Sequence, residues 1–190
     1  MLDGRLKRDR DGGVCFGNDI ITRVLDTIDI RGAVDPRVVV LGTGISWNHH
    51  KEDGEAYDES RYNDEREKMY RELATRMGST INGLLLISGD YHINEIYHVD
   101  LGEGRMALEF VSSPLTRHTG LREPRDIQHE RVTTVSSKEK RGFATLTIDT
   151  LRGTRDNWTA TIRYFQEAGA TQYASRSYIV SNGQFNPVPV

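Results

Sequence analysis

Gly83-Leu84-Leu85-Leu86-Ile87-Ser88-Gly89-Asp90-Tyr91-His92 is a continuous apolar run that ends on a serine and a glycine and is followed at once by a carboxylate and an imidazole. A run that is unbroken, as opposed to alternating, suits a strand covered on both faces, so it predicts a core strand of a layered protein. Glycine lets the backbone turn sharply, and Asp90 and His92 would then leave from the carboxyl end of that strand, where layered sheet proteins usually keep their chemistry. A hard carboxylate oxygen and a borderline imidazole nitrogen can share a divalent or trivalent cation. The same residues also read as a plain turn whose Asp caps local amides and whose His is incidental, and the pattern leaves both readings open.

Upstream of this strand, Gly17-Asn18-Asp19 offers a helix cap, and Ile20, Ile21, Val24, Leu25 and Ile28 recur at helical spacing, which predicts a helix over 19–30 that Gly32 ends. After Pro36, Val38-Val39-Val40-Leu41 is a second core strand closing on Gly42-Thr43-Gly44. This is not a dinucleotide fingerprint, because Trp47 stands where the third glycine belongs and no helical pattern follows. The stretch from Trp47 to Ser60 is polar and acidic and reads as a surface loop; its adjacent His49 and His50 suit a solvated loop better than a chelate. Over Arg61–Met77 the positions Tyr62, Met69, Tyr70, Leu73 and Met77 form one apolar stripe, so a helix lies on the sheet and stops at Gly78.

Downstream the pattern turns to strands alone. Asn94–Leu101 and Arg105–Val111 flank Gly102-Glu103-Gly104 and predict a hairpin. A loop dense in hydroxyls and cations, Ser112-Ser113-Pro114-Leu115-Thr116-Arg117-His118, opens a polar excursion to about Lys140. Arg141–Thr150, Trp158–Gln166 and Ser175–Val180 are three further strands, and the Pro-rich end Asn186–Val190 is expected to be loose, since it cannot pair as a central strand.

A chain of 190 residues is long enough for one domain with a real core. Apolar content of 36%, charged content of 28% and a net charge of -3 give no basic excess for nucleic acid, and no apolar stretch is long enough to span a membrane. The lone Cys15 excludes an internal disulfide and a cysteine-based zinc site. Met1–Asp9 has no apolar core of a secretory signal, so the sequence leaves the compartment unknown.

Taken in order, these segments resemble the C-terminal half of PhoD-like alkaline phosphatases, a branch of the calcineurin-like metallophosphoesterases, over roughly residues 1–165. The residues that carry the resemblance are Leu2-Asp3-Gly4-Arg5-Leu6-Lys7-Arg8-Asp9, Glu65-Arg66, Leu86-Ile87-Ser88-Gly89-Asp90-Tyr91-His92, Glu95, and Glu109-Phe110-Val111-Ser112-Ser113-Pro114-Leu115-Thr116. The resemblance implies a portion of a four-layer α/β/β/α sandwich, of α+β or α/β class, with a mixed sheet, flanking helices and C-terminal antiparallel strands. It also implies hydrolysis of phosphate mono- or diesters at a binuclear centre of divalent or trivalent ions (Fe with Ca, Zn, Mn or Mg), where a metal-activated water attacks and no protein nucleophile is needed.

In the residues that match the family's motif, His92 is the expected metal ligand. Asp90 either binds the metal or orients His92. Arg5 and Arg8 are candidates for phosphate contact, with ion pairs to Asp3 and Asp9 as the alternative. The family's earlier metal motifs have no counterpart in this sequence, so the expectation is a single domain over 1–190 that is the C-terminal part of a longer, often exported phosphatase, partnered by an absent N-terminal half. A catalytically inactive remnant acting as a binding or scaffold domain is the alternative.

Overall fold

The structure is a computed structural model that describes residues 8–9, 11–33, 37–43, 47, 60–89, 94–112, 132–138, 142–150, 157–166, 171–181 and 184–188. Its first helix, α1 (Asn18–Gly32), buries Ile21, Leu25 and Ile28, the i, i+4, i+7 stripe that the sequence predicts. The strand β1 (Arg37–Gly42) follows. A single 3₁₀ turn, Ser60–Tyr62, then leads into α2 (Asn63–Arg76), which buries Met69, Tyr70, Leu73 and Ala74. Gly78, with φ 85°, takes the left-handed position just beyond the helix end. Arg76 fastens the two helices together: its Nε and Nη2 donate to the two oxygens of Asp29 at 2.8 Å each, and its Nη1 donates to Glu72 Oε2 at 2.8 Å.

The apolar run becomes β2 (Ile81–Ser88), whose residues Ile81 to Leu86 are all buried. The predicted hairpin forms as β3 (Asn94–Gly102) and β4 (Arg105–Ser112), turning through Gly102, Glu103 and Gly104, all at positive φ. With β5 (Val132–Lys138) these strands make a mixed sheet of order β1-β2-β4-β3-β5. Strands β1, β2 and β4 run parallel, while β3 is antiparallel to both β4 and β5.

Four later strands, β6 (Gly142–Thr150), β7 (Asn157–Gln166), β8 (Thr171–Ser181) and β9 (Gln184–Pro187), form an antiparallel sheet in sequence order. The described residues thus stack as helices, mixed sheet and antiparallel sheet, an α+β arrangement. Leu84 and Leu86 point to the helices, where they join Met69, Tyr70, Leu73, Ile21 and Leu25. Leu85 points the other way, to Ile162, Tyr164, Tyr178 and Val180 of the second sheet. The sheets pack closely at Gly83, where a Cβ would lie 2.2 Å from Val180 Cγ1, so only glycine fits without moving a neighbour. Gln184 Nε2 adds a polar tie by donating to the hairpin carbonyl of Gly104 at 2.8 Å.

Three expectations are corrected. The polar excursion before Lys140 contains a strand, β5, because Val132-Thr133-Thr134-Val135-Ser136-Ser137-Lys138 pairs with β3 at the sheet edge, where an apolar sequence is not required. The Pro-rich end is not loose throughout: β9 pairs with β8 from Ser181↔Gln184 to Tyr178↔Pro187, as an edge strand that tolerates proline, and Phe185 is buried. Trp47, at the head of the expected surface loop, is fully buried.

Candidate functional site

Because β1, β2 and β4 are parallel, their carboxyl ends meet at one edge of the mixed sheet. Thr43 N, just beyond β1, donates to Ile87 O at 2.9 Å. Ser88 pairs with Val111. A Cβ on Gly89 would stand 3.1 Å from Ser112 O, so the residue that precedes Asp90 rests against the end of β4. Asp90 and His92 themselves lie outside the described residues, as do Arg5, His49, His50 and Ser113.

A carboxylate organises this edge. Glu109, on β4, has no solvent exposure. Its Oε1 accepts a 2.5 Å hydrogen bond from Ser88 Oγ and a 2.8 Å bond from the backbone N–H of Trp47. One oxygen atom therefore ties the chain beyond β1 to the last residue of β2. Both bonds are shielded from water, where a hydrogen bond is stronger than at the surface.

A second carboxylate acts at the start of α1. Glu65, in the first turn of α2, accepts backbone N–H bonds from Cys15 at 3.3 Å, Phe16 at 3.0 Å and Gly17 at 3.0 Å. The expected cap at Gly17-Asn18-Asp19 makes no side-chain capping bond. Glu65 instead reaches across from the neighbouring helix to the three amides that lead up to the start of α1, which places its carboxylate near the positive end of the dipole. The two clusters touch through rings: Phe16 and Trp47 are tilted by 41° with centroids 5.3 Å apart.

Arg8 is half-buried beside this turn. Burial pushes the Cys15 thiol up to about 12, the Glu65 charge adds to that rise, and the Arg8 guanidinium partly opposes it. Cys15 is thus a neutral, packed thiol and not a nucleophile. Asp9, the expected ion-pair partner of Arg8, turns its Oδ1 to the amides of Asp11 at 3.2 Å and Gly12 at 3.0 Å. Asp9 and Val14 close this loop with reciprocal backbone bonds of 2.8 and 2.9 Å.

In the sequence, Glu65 and Glu109 stand within motifs that give neither of them a role. The signal for Glu109 was present: a lone carboxylate inside Ala107-Leu108-Glu109-Phe110-Val111 has to be buried with partners if that run is a core strand. Glu95, another motif residue, stands on β3 opposite Val111.

Among the described residues no three His, Cys, Asp or Glu side chains group closely enough to hold a metal ion. Both central carboxylates are engaged by protein donors.

No family model matches the sequence, and no curated protein matches it. The fold does match a solved structure, that of PhoD, with a TM-score of 0.61 and 17% sequence identity over 92% of this chain and 35% of PhoD. The chain therefore has a partial PhoD fold and spans about a third of that protein's length. At this identity the likeness carries the fold alone.

Proposed function

We propose that this chain is the portion of a PhoD-like metallophosphoesterase domain that presents Asp90 and His92 to a binuclear metal centre and Arg5 and Arg8 to the phosphate of a small phosphate ester. The observation that carries the reading is the fold match to PhoD over 92% of the chain. Two placements support it: the Ser88-Gly89 end of β2 rests against Ser112 at the carboxyl edge of the parallel strands, and Asp90 and His92 come next in sequence. Bound divalent or trivalent ions would supply an activated water and neutralise the leaving oxygen. The chain's own part is to aim the Asp90–His92 turn from a fixed edge and to hold a guanidinium whose planar fork suits phosphate.

Such a centre needs more donors than Asp90 and His92, so further ligands come from the additional length of a PhoD-like domain, which is the partner this reading requires. No helix among the described residues is long and apolar enough to cross a membrane.

The test is a titration of the purified chain with Mn²⁺, in parallel with Asp90→Asn and His92→Ala variants and with p-nitrophenyl phosphate as substrate. The expected result is weak Mn²⁺ binding that falls at least about 10-fold in both variants. Turnover should stay below about 1 per second, the low end of the ordinary enzyme range. Mn²⁺ binding that both variants leave unchanged would overturn the assignment of the turn. Faster turnover by the chain alone would overturn the need for further ligands.

A further inference from the structure

The fully buried Glu109 is a carboxylate that metal hydrolysis as proposed does not use, yet it sits where two segments that carry metal-competent side chains begin. His49 and His50 follow Trp47 by two and three residues, and Asp90 and His92 follow Ser88 by two and four. Glu109 Oε1 holds the beginnings of both, through the Trp47 N–H at 2.8 Å and the Ser88 hydroxyl at 2.5 Å.

We propose that Glu109 is a positioning residue: a buried clamp that fixes the chain after β1 and the end of β2 in one frame, so that both segments leave the sheet in register with each other. Three features favour a positioning role over simple core packing. Its neighbours on β4, Ala107, Leu108, Phe110 and Val111, are all apolar and buried, so a hydrocarbon would fill the same place without bringing an ionisable group out of water. The bonds from Trp47 and Ser88 fall on the same oxygen, so displacing one partner disturbs the other. Neither partner is in the regular ladder with Glu109: its sheet partners are Leu86 on β2 and Tyr97 on β3. Ser88 is already held by its pairing with Val111, so the clamp ties Trp47, which lies beyond β1, to a fixed point on β2.

The hydrogen bonds stand independently of the phosphoesterase reading, and only the purpose of the clamp rests on it. The chain has two tryptophans, so a Trp158→Phe background leaves Trp47 as the sole emitter. In that background Glu109→Gln keeps an oxygen acceptor and should preserve both Trp47 emission and the slow hydrogen exchange of its amide. Glu109→Leu should red-shift the emission and speed exchange at the Trp47 amide at least about 10-fold, while amides of Leu84–Ile87 stay protected. It should also weaken Mn²⁺ binding about 10-fold or more, the usual size of effect when a group that orients a ligand is lost. Ser88→Ala is the companion variant should Glu109→Leu not fold; removing one partner should still quicken Trp47 amide exchange several-fold, since the two bonds share an oxygen.

Trp47 emission and exchange unchanged in Glu109→Leu, or in Ser88→Ala if that alone folds, would overturn the clamp. So would a Glu109→Gln protein that behaves like Glu109→Leu. Altered Trp47 signals with undiminished Mn²⁺ affinity would overturn the positioning role, leaving Glu109 to folding alone. If the parent chain binds no Mn²⁺ at all, the phosphoesterase reading fails, and the Trp47 amide by itself decides the clamp.

Discussion

The two faces of the mixed sheet are both closed to water, but they bury polar groups in opposite ways. On the helix face the carboxylate of Glu109 and the half-buried carboxylate of Glu65 collect five donors between them, from Cys15, Phe16, Gly17, Trp47 and Ser88. On the face toward the antiparallel sheet, Leu85, Ile96, Leu108 and Phe110 pack on Ala160, Ile162, Tyr164 and Val180. There Tyr178 Oη and His98 Nε2 are buried with no hydrogen-bond partner among the described residues, their rings meeting edge to face at 5.9 Å. Shape does most to hold the second face together, where Tyr164 Oη donates to Val111 O at 3.4 Å, whereas the first adds carboxylate bonds to the chain beyond β1 and before α1. Directional bonds set where a chain segment leaves a sheet, so the segments beyond β1 and β2 take their start from the helix face.

The largest test treats the faces alike. Leu85 and Leu86 are neighbours on β2, fully buried on opposite sides, and each truncated to alanine should cost about 3 kcal/mol by urea unfolding. A loss confined to Leu86→Ala would show that the inter-sheet layer contributes little and break the two-core description.

Glu65→Ala removes an acceptor from three amides and should cost about 2 kcal/mol, in the range of a lost helix cap with charged hydrogen bonds. Glu65→Gln, which keeps an acceptor, should recover about half of it. If neither variant shifts the urea midpoint, the turn at 15–17 is held by packing alone.

A smaller difference in sign separates the faces more sharply. Ser88→Ala should cost about 1 kcal/mol, because its hydroxyl is bonded inside the core. Tyr178→Phe should be neutral or stabilising by a few tenths of a kcal/mol, because it removes a buried hydroxyl that lacks a partner. Burial pushes the Tyr178 phenol up to about 12, so in the parent chain stability is also lost as pH rises above the ordinary value of about 10, where the unfolded phenol gives up a proton the folded one keeps.

The smallest effect concerns His98, whose imidazole burial holds below its ordinary value of 6.5. As pH falls through about 6.5 the unfolded chain takes up a proton that the folded chain still refuses, so stability is present above that value and lost below it. His98→Phe should flatten the dependence of melting temperature on pH between about 7 and 5. An identical slope in both proteins would mean that His98 meets solvent.

Much of this was legible in the sequence where burial imposes a period. The stripes of α1 and α2, the unbroken run of β2 and the glycine-rich hairpin turn follow from side-chain geometry alone. The partial PhoD fold was legible in another way, through a resemblance carried by several short motifs in a fixed order. β5 was not legible, since an edge strand needs no apolar alternation, and β9 was hidden by prolines that an edge tolerates. The partners of Glu65 and Glu109 could not be read either: these bonds join residues far apart in sequence, and no local pattern records which distant amide a carboxylate will meet. Asp90, His92 and Arg5 lie outside the described residues, and their roles remain those the motif implies.

The distances along the chain that these carboxylate bonds close are themselves consequential. Phe16 and Glu65 are 49 residues apart, and Trp47 and Glu109 are 62 apart. Closing such loops is unfavourable in entropy until the strands between them have assembled, so these bonds belong to the native side of the folding barrier. During synthesis the amides at 15–17 emerge well before Glu65, and the Trp47 amide emerges before Glu109. The edge of the sheet therefore gains its final geometry late, after the helices and β2 have formed, and weakening either carboxylate should speed unfolding far more than it slows folding.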